Sequence, residues 1–316
     1  MNVIPKRPIA MQDFVGQNEL TARLRTIMQG STARHAKPPH VLLSGPAGTG
    51  KTTLAQVVAN ELGATLVTAT GPALRSADDL AGVLFAGAAH EGPTVVFVDE
   101  VHRLPAIVEE TLYEALEDGT LTVIIGSGSE ARSVRHVLPP FVFVGATTKP
   151  GSLSQPLRDR FGFHGTMVPY SVDELGYIVG RQWARSGFEF TVQAALTVAE
   201  RSKGTPRVAL HLADRVLDVA ATGDRMVTED VAAQALDAFG IGEGGLDETD
   251  WRILTALCET FRGRAIGLDA LAQALDLDRE TIERGHEGNL VRCGLMVRTR
   301  TGRMATPDAY DLVESR

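Results

Sequence analysis

Cysteine is scarce in this chain, with two residues in 316. Cys258 and Cys293 sit in apolar surroundings (TALCETF and VRCGLM) without the paired spacing of a zinc site or a disulfide framework, which predicts two reduced, buried thiols. No run of about 18 apolar residues occurs, and the opening stretch MNVIPKRPIAMQDF has no apolar core ahead of a small-residue cleavage site. The expectation is a cytoplasmic protein with no membrane contact. A surplus of positive charge is missing too: 31 Lys and Arg stand against 39 Asp and Glu, for a formal net charge of -8. That balance excludes a uniformly basic nucleic-acid coat, so any DNA contact must be regional.

What is present is a chain with 44% hydrophobic residues, enough for a sizeable core and long for one domain. Through residue 168 short apolar runs alternate with amphipathic patterns, the signature of an α/β domain with a parallel sheet. The predicted strands are His40–Ser44, Thr65–Ala69, Thr94–Val98 and Phe141–Ala146; the predicted helices are Asn18–Met28, Thr52–Leu62, Ala77–Ala89 and Pro105–Asp118. Residues 169–240 read as helices alone, with Ser171, Thr191 and Thr228 as N-caps. After the glycine-rich hinge IGEGGLDETD, residues 241–316 read as a compact third domain of three short helical patterns and a hairpin-like stretch, LMVRTRTGRMAT.

The chemistry concentrates in the first domain. GPAGTGKT, from Gly45 to Thr52, fits G-x-x-x-x-G-K-[ST] and lies between the strand HVLLS and the helix TTLAQVVANEL. Gly48 and Gly50 let backbone N–H groups converge on phosphate oxygens, and Lys51 neutralises the outer phosphates. The Thr52 hydroxyl is placed to ligate Mg2+, with Thr53 beside it. The run TVVFV then delivers Asp99 and Glu100 at a strand end, the place where ligands collect in open parallel sheets. Asp99 suits a magnesium ligand, Glu100 a base for the attacking water, and a glutamate at that point favours hydrolysis over mere nucleotide binding. FVFVGATT is a third apolar strand, ending in the hydroxyls of Thr147 and Thr148. LSQPLRDRFG puts Arg158 and Arg160 in a polar turn, and GTPR puts Arg207 in the first turn of a later helix behind Pro206.

With these features in this order the chain resembles AAA+ ATPases and, more narrowly, the RuvB family of Holliday-junction branch-migration motors. VDEVHRL, the LPPF run leading into GATT, and LRDRFG carry the narrower likeness, which runs essentially end to end. The resemblance implies an α/β P-loop AAA+ ATPase domain (1–168) with a protruding hairpin at 121–139, a small all-α lid domain (169–240) and a winged-helix DNA-binding domain (241–316). It implies ATP and ADP as cofactors with Mg2+ held by Thr52 and Asp99, and an adenine bordered by Phe14, Val15 and Tyr170. Thr148 matches the sensor-1 position, Arg160 the arginine finger that enters a neighbouring subunit's site, and Arg207 the sensor-2 position. As partners it implies a homohexameric ring on double-stranded DNA at Holliday junctions, a RuvA-like junction-binding protein docked on the hairpin, and a RuvC-like resolvase. Phosphate contacts fall best on Arg298, Arg300 and Arg303, in a stretch from Arg292 to Thr306 with four arginines and no acids.

This sequence departs from the family pattern at several points. His136 replaces a second apolar residue in the hairpin's returning arm, which counts against conventional partner docking. GPAGTGKT varies only where no phosphate ligand sits. HEGNLVRCGLM lacks the usual proline and aromatic after the glutamate, which predicts a turn loosened by Gly288 and Asn289, and RTRTGR shifts one positive charge by a residue. Beside the branch-migration motor stand two other readings: an ATP-switched loading or assembly factor that does not translocate, and a winged-helix regulator with a degenerate ATPase.

Overall fold

The computed structural model describes residues 7–86, 92–125, 132–223 and 225–315. Its contacts divide the chain into one unit through Pro169 and another from Tyr170. In the first unit the strands are β1 (Val41–Ser44), β2 (Thr65–Thr70), β3 (Thr94–Asp99), β4 (Thr120–Ile125), β5 (Arg132–Val137), β6 (Phe141–Thr147) and β7 (Phe163–Thr166). The helices are α1 (Asn18–Ala33), α2 (Lys51–Glu61), α3 (Ala77–Ala86), α4 (Ala106–Glu117) and α5 (Gln155–Asp159). Five strands form one sheet in the order β2-β3-β6-β1-β7, and every pairing in it is parallel.

Burial explains why these runs are strands. In β3 and β6 nearly every residue is inaccessible to water, as helices on both faces require. Leu42, Val96, Val98 and Phe143 pack on one side with Leu80, Leu84, Val108 and Leu112. Leu43, Val95, Phe97 and Val144 pack on the other with Leu24, Leu54 and Val58. The edge strand β7 has no counterpart among the sequence-predicted strands, because FHGT is short and contains a glycine; only its pairing with β1 makes it a strand.

β4 and β5 form an antiparallel hairpin in the register Thr120 to Val137 through Ile125 to Arg132. Most of the expected tip, residues 126–131 of GSGSEARS, lies outside the described residues, as do residues 87–91 at the end of the third predicted helix. His136 faces Leu121 across the hairpin, and its ring meets that of Phe85 edge-on at 6.0 Å. Val137 is 80% exposed.

The second unit opens with α6 (Val172–Arg185), β8 (Glu189–Phe190), α7 (Val192–Glu200), α8 (Pro206–Ala220), β9 (Met226–Val227) and α9 (Glu229–Ala238). The side chains of Ser171, Thr191 and Thr228 each accept the capping N–H of the helix they precede. These helices close over Trp183, Leu175, Val198 and Val216. The two-residue strands β8 and β9 pair in parallel between them and escaped the sequence expectation of helices alone.

A separate apolar cluster holds α10 (Glu248–Thr255), α11 (Leu268–Leu275), α12 (Arg279–Thr281), α13 (Glu287–Arg292), β10 (Met296–Thr299), β11 (Gly302–Ala305) and α14 (Pro307–Glu314). β10 and β11 make a hairpin that Ile266 extends through a bridge to Arg303, giving the wing of a winged helix. The expected loose turn at Gly288 and Asn289 is a helix instead. Both residues lie inside α13, where Asn289 is buried and its Nδ2 donates to the Gly244 carbonyl at 3.2 Å. The irregularity falls one turn earlier, in a π-helical turn at Ile282–His286. The cysteine expectation also needs correcting: Cys258 is buried, with its thiol pKa pushed up by burial and then by Glu259, whereas Cys293 is only half-buried.

Candidate active site and nucleic-acid interface

Parallel pairing brings the chemistry to one edge of the sheet. β1 ends at Ser44 opposite Thr147 of β6, and β6 runs beside β3, whose last residue is Asp99. The glycine-rich loop after β1, the Asp99–Glu100 pair after β3 and the threonines after β6 therefore share the carboxyl ends of three neighbouring strands. Gly45 has φ +140°, and a Cβ there would lie 2.4 Å from the Met167 carbonyl oxygen, so no other residue fits the start of the loop. Gly50 is left-handed at φ 101° and caps α2, turning the chain so that the helix N-terminus faces the loop. Lys51 is buried, and its ammonium donates to the carbonyls of Gly45 and Pro46 at 2.8 Å each. Thr52 is exposed, while Gly48 and Thr53 are half-buried.

Asp99 accepts the Glu100 N–H at 2.9 Å, and Glu100, at φ 53°, is paired with Arg103 at 3.1 Å. The two threonines differ. Thr147 is fully buried, its hydroxyl 3.0 Å from His102 Nδ1 and accepting the Lys149 N–H at 2.9 Å. Thr148 Oγ1 is shielded from solvent and makes no hydrogen bond among the described residues, which fits a hydroxyl awaiting a ligand oxygen. Neither His102 nor Gly71, whose Cβ would strike the Glu100 carbonyl oxygen at 2.3 Å, belongs to the sequence-predicted site. A glycine that directly follows β2, the strand paired with β3, was the available signal.

Phe14 is buried in the apolar layer beside Met11, and Val15 next to it is half-buried. Gln17 fixes this segment to the end of the unit: its Nε2 donates to the Val168 carbonyl at 2.8 Å, and its Oε1 accepts the Val168 N–H at 3.0 Å. Arg160 follows α5 and pairs with Glu117 at 2.5 Å. Arg158 donates to Gln155 Oε1 at 2.8 Å. In the second unit Tyr170 is buried, its N–H bonded to the Gly204 carbonyl at 2.9 Å, and Arg207 is exposed in the first turn of α8.

The wing arginines are unequal. Arg298 donates to Glu287 through Nε, and Arg303 forks onto the same carboxylate at 3.2 and 3.1 Å. Glu287 is wholly buried, so these two charges neutralise an interior carboxylate. Arg300 is exposed at the turn between β10 and β11.

Sequence reasoning also missed an ionic cluster in this unit. Lys203 Nζ donates to Asp247 and to the fully buried Asp250 at 2.7 Å each, and His286 Nδ1 lies 2.7 Å from Asp250. Burial opposes charge on Lys203, but its bonds to the two aspartates outweigh that and raise its pKa. Asp247 and Asp250 also form the capping box of α10, and the lysine ammonium bridges one oxygen of each carboxylate while His286 faces the other oxygens.

The family model described as the Holliday junction DNA helicase RuvB P-loop domain matches residues 6–167. The chain belongs to the RuvB family. The family's AAA lid domain matches residues 170–242, and its C-terminal winged helix domain residues 243–314. Among solved structures, the RuvB Holliday junction branch migration motor of Thermotoga maritima is 36% identical over 98% of both chains, with a TM-score of 0.87. Two variants of that protein match at 36% and 35% identity with TM-scores of 0.88 and 0.87, again over 98% of both chains. Membership makes the first unit a P-loop ATPase domain that binds nucleotide, and it does not favour a loading factor that never translocates. Among the described residues no helix is long and apolar enough to cross a membrane.

Proposed function

We propose that this chain is an ATP-driven motor that moves Holliday junctions along double-stranded DNA in recombination and repair. The observation that carries the proposal is the convergence of Lys51, Asp99 and the unsatisfied Thr148 hydroxyl at three adjacent strand ends, in a chain whose RuvB likeness is unbroken from the P-loop domain to the winged helix.

The residues suit Mg2+ and ATP. Thr52 and Asp99 offer the hard oxygen ligands that magnesium takes, and the loop after Gly45, with Gly48 and Gly50 at positive φ, suits backbone N–H groups converging on phosphates. Bound magnesium would neutralise charge on the outer phosphates. Lys51 holds those phosphates, Glu100 accepts the proton of the attacking water once Arg103 yields it, and Thr148 orients that water. Phe14, Val15 and Tyr170 border the adenine. Arg207, on α8, reports the outer phosphate to the lid, so that its loss rotates the lid against the ATPase domain.

The working form is a homohexameric cytoplasmic ring in which Arg160 completes the neighbouring subunit's site. Domains run 1–168, 169–240 and 241–316, the last touching duplex phosphates through the wing. The hairpin 121–139 docks a RuvA-like junction-binding protein, and a RuvC-like resolvase acts on the same junction. Strand exchange on a synthetic four-way junction, with and without a RuvA-like partner, decides the matter. ATP-dependent movement that vanishes in Lys51→Ala is expected; no movement even with a cognate partner would overturn the proposal.

A further inference from the structure

Glu109, Tyr113 and Glu117 recur every fourth residue on α4 and share one face of it. That face meets the segment that bears Arg160. Glu109 accepts from Ser154 Oγ, the N-cap of α5, and from the Tyr113 hydroxyl at 2.6 Å. The Tyr113 ring lies 6.0 Å from the Arg160 guanidinium carbon, and Glu117 closes the ion pair with Arg160 at 2.5 Å. The front of α5 is thus fixed by Glu109, while the arginine after its end is held by Tyr113 and Glu117.

Two features mark this hold as temporary. The pair is open to water, with the Glu117 side chain 58% exposed and that of Arg160 32%, and pairs of that kind give way to a stronger acceptor. Arg160 Nε, moreover, is shielded from solvent with no acceptor among the described residues. A guanidinium has five N–H donors in a planar fork, and a cluster of phosphate oxygens satisfies it better than this one carboxylate does.

We propose that Glu117, with Tyr113 beside it, stores Arg160 within its own subunit until a neighbouring subunit's nucleotide draws it across. The proposal rests on the assignment of Arg160 as the residue that completes the adjacent site. A guanidinium neutralised by Glu117 cannot stabilise charge on another subunit's phosphates, so the stored arginine is an inactive one. Glu117 acts only through Arg160 and is a positioning residue. The holding helix also begins at Ala106, a short turn beyond Glu100 and its Arg103 partner.

The test is steady-state ATP hydrolysis across a range of protein concentrations for the parent chain, Glu117→Gln, Glu117→Ala and Arg160→Ala, with fluorescent ADP binding as the check on folding. Both Glu117 variants should reach half-maximal activity at several-fold lower protein concentration, with the saturating rate within about twofold of the parent and ADP binding unchanged. Arg160→Ala should lose about 1000-fold or more at every concentration. An unshifted concentration dependence in the Glu117 variants overturns storage. So does a fall in their saturating rate like that of Arg160→Ala, which would make Glu117 part of the working pose. If Arg160→Ala hydrolyses ATP as fast as the parent, the assignment of Arg160 itself fails, by a separate readout.

Discussion

The Thr147 hydroxyl and His102 Nδ1 lie 3.0 Å apart, and that bond divides the labour between two adjacent threonines. Thr147 is spent on its own domain and anchors the end of β6. Thr148 has no hydrogen-bond partner among the described residues, so its hydroxyl is not committed to its own domain.

Thr148→Val should therefore lower ATP turnover by about 100-fold, the usual cost of removing one aligned polar group from a reacting centre, with nucleotide affinity and thermal midpoint nearly unchanged. Thr147→Val should do the reverse, costing about 2 kcal/mol of stability for the two lost bonds, to His102 and from the Lys149 N–H, and little of the turnover. Denaturant melts beside single-turnover hydrolysis separate the two; equal effects in both variants would refute the division.

Arg300 and Arg303 should likewise part company. Arg303→Ala leaves Glu287 buried with Arg298 as its remaining charged partner, and breaking such a pair costs about 3 kcal/mol. Arg300→Ala, at the exposed turn, should leave stability unchanged, weaken duplex binding, and reduce the salt dependence of that binding by about one ion. Urea unfolding and salt titrations of DNA affinity read the two outcomes; a stability loss in Arg300→Ala would contradict the assignment.

Lys203→Met removes the ammonium that satisfies Asp247 and the fully buried Asp250. A loss of about 3 kcal/mol is expected in denaturant unfolding at neutral pH. Adding Asp250→Asn should recover part of it, because the buried one of the two charges left without the lysine is then gone; a double variant less stable than the single one would show that the lysine does something other than balance charge.

His40 should make the first unit acid-sensitive. Its Nδ1 accepts the Phe143 N–H at 2.9 Å, and its Nε2 lies 3.2 Å from the Leu116 carbonyl, a pattern that suits the neutral ring. Burial first, and then the charge of Lys37, lower its pKa to about 4. The unfolded chain takes up that proton near the ordinary value of about 6.5, so the stabilisation is complete above that pH and drains away as pH falls toward 4. The total is about 3 kcal/mol. Chemical unfolding midpoints measured from pH 7 to 4.5 should fall more steeply for the parent than for His40→Gln; parallel slopes would remove His40 from the account.

The elements that sequence made plain were those whose cause is local. β3 and β6 announce themselves as continuous apolar runs because they are covered on both faces. α6, α7 and α9 begin where Ser171, Thr191 and Thr228 stand because those side chains cap the next turn. α14 starts by the same local cause, with Thr306 capping and Pro307 in the first turn. The edge strand β7 left no such trace, since its only support is a neighbour more than a hundred residues away. The supposed loose turn failed for the same kind of reason: Asn289 bonds to Gly244, far back along the chain, and that contact keeps α13 helical.

By itself, then, the sequence determined the parallel α/β sheet, the phosphate loop and the identity of the charged groups, because spacing and hydrophobic period act over a few residues. Tertiary structure decided which of those groups are engaged. It put Glu287 under Arg298 and Arg303, Lys203 between two aspartates, and Glu117 against Arg160. An ion pair depends on which side chains folding brings within about 4 Å, and on how much water it leaves between them.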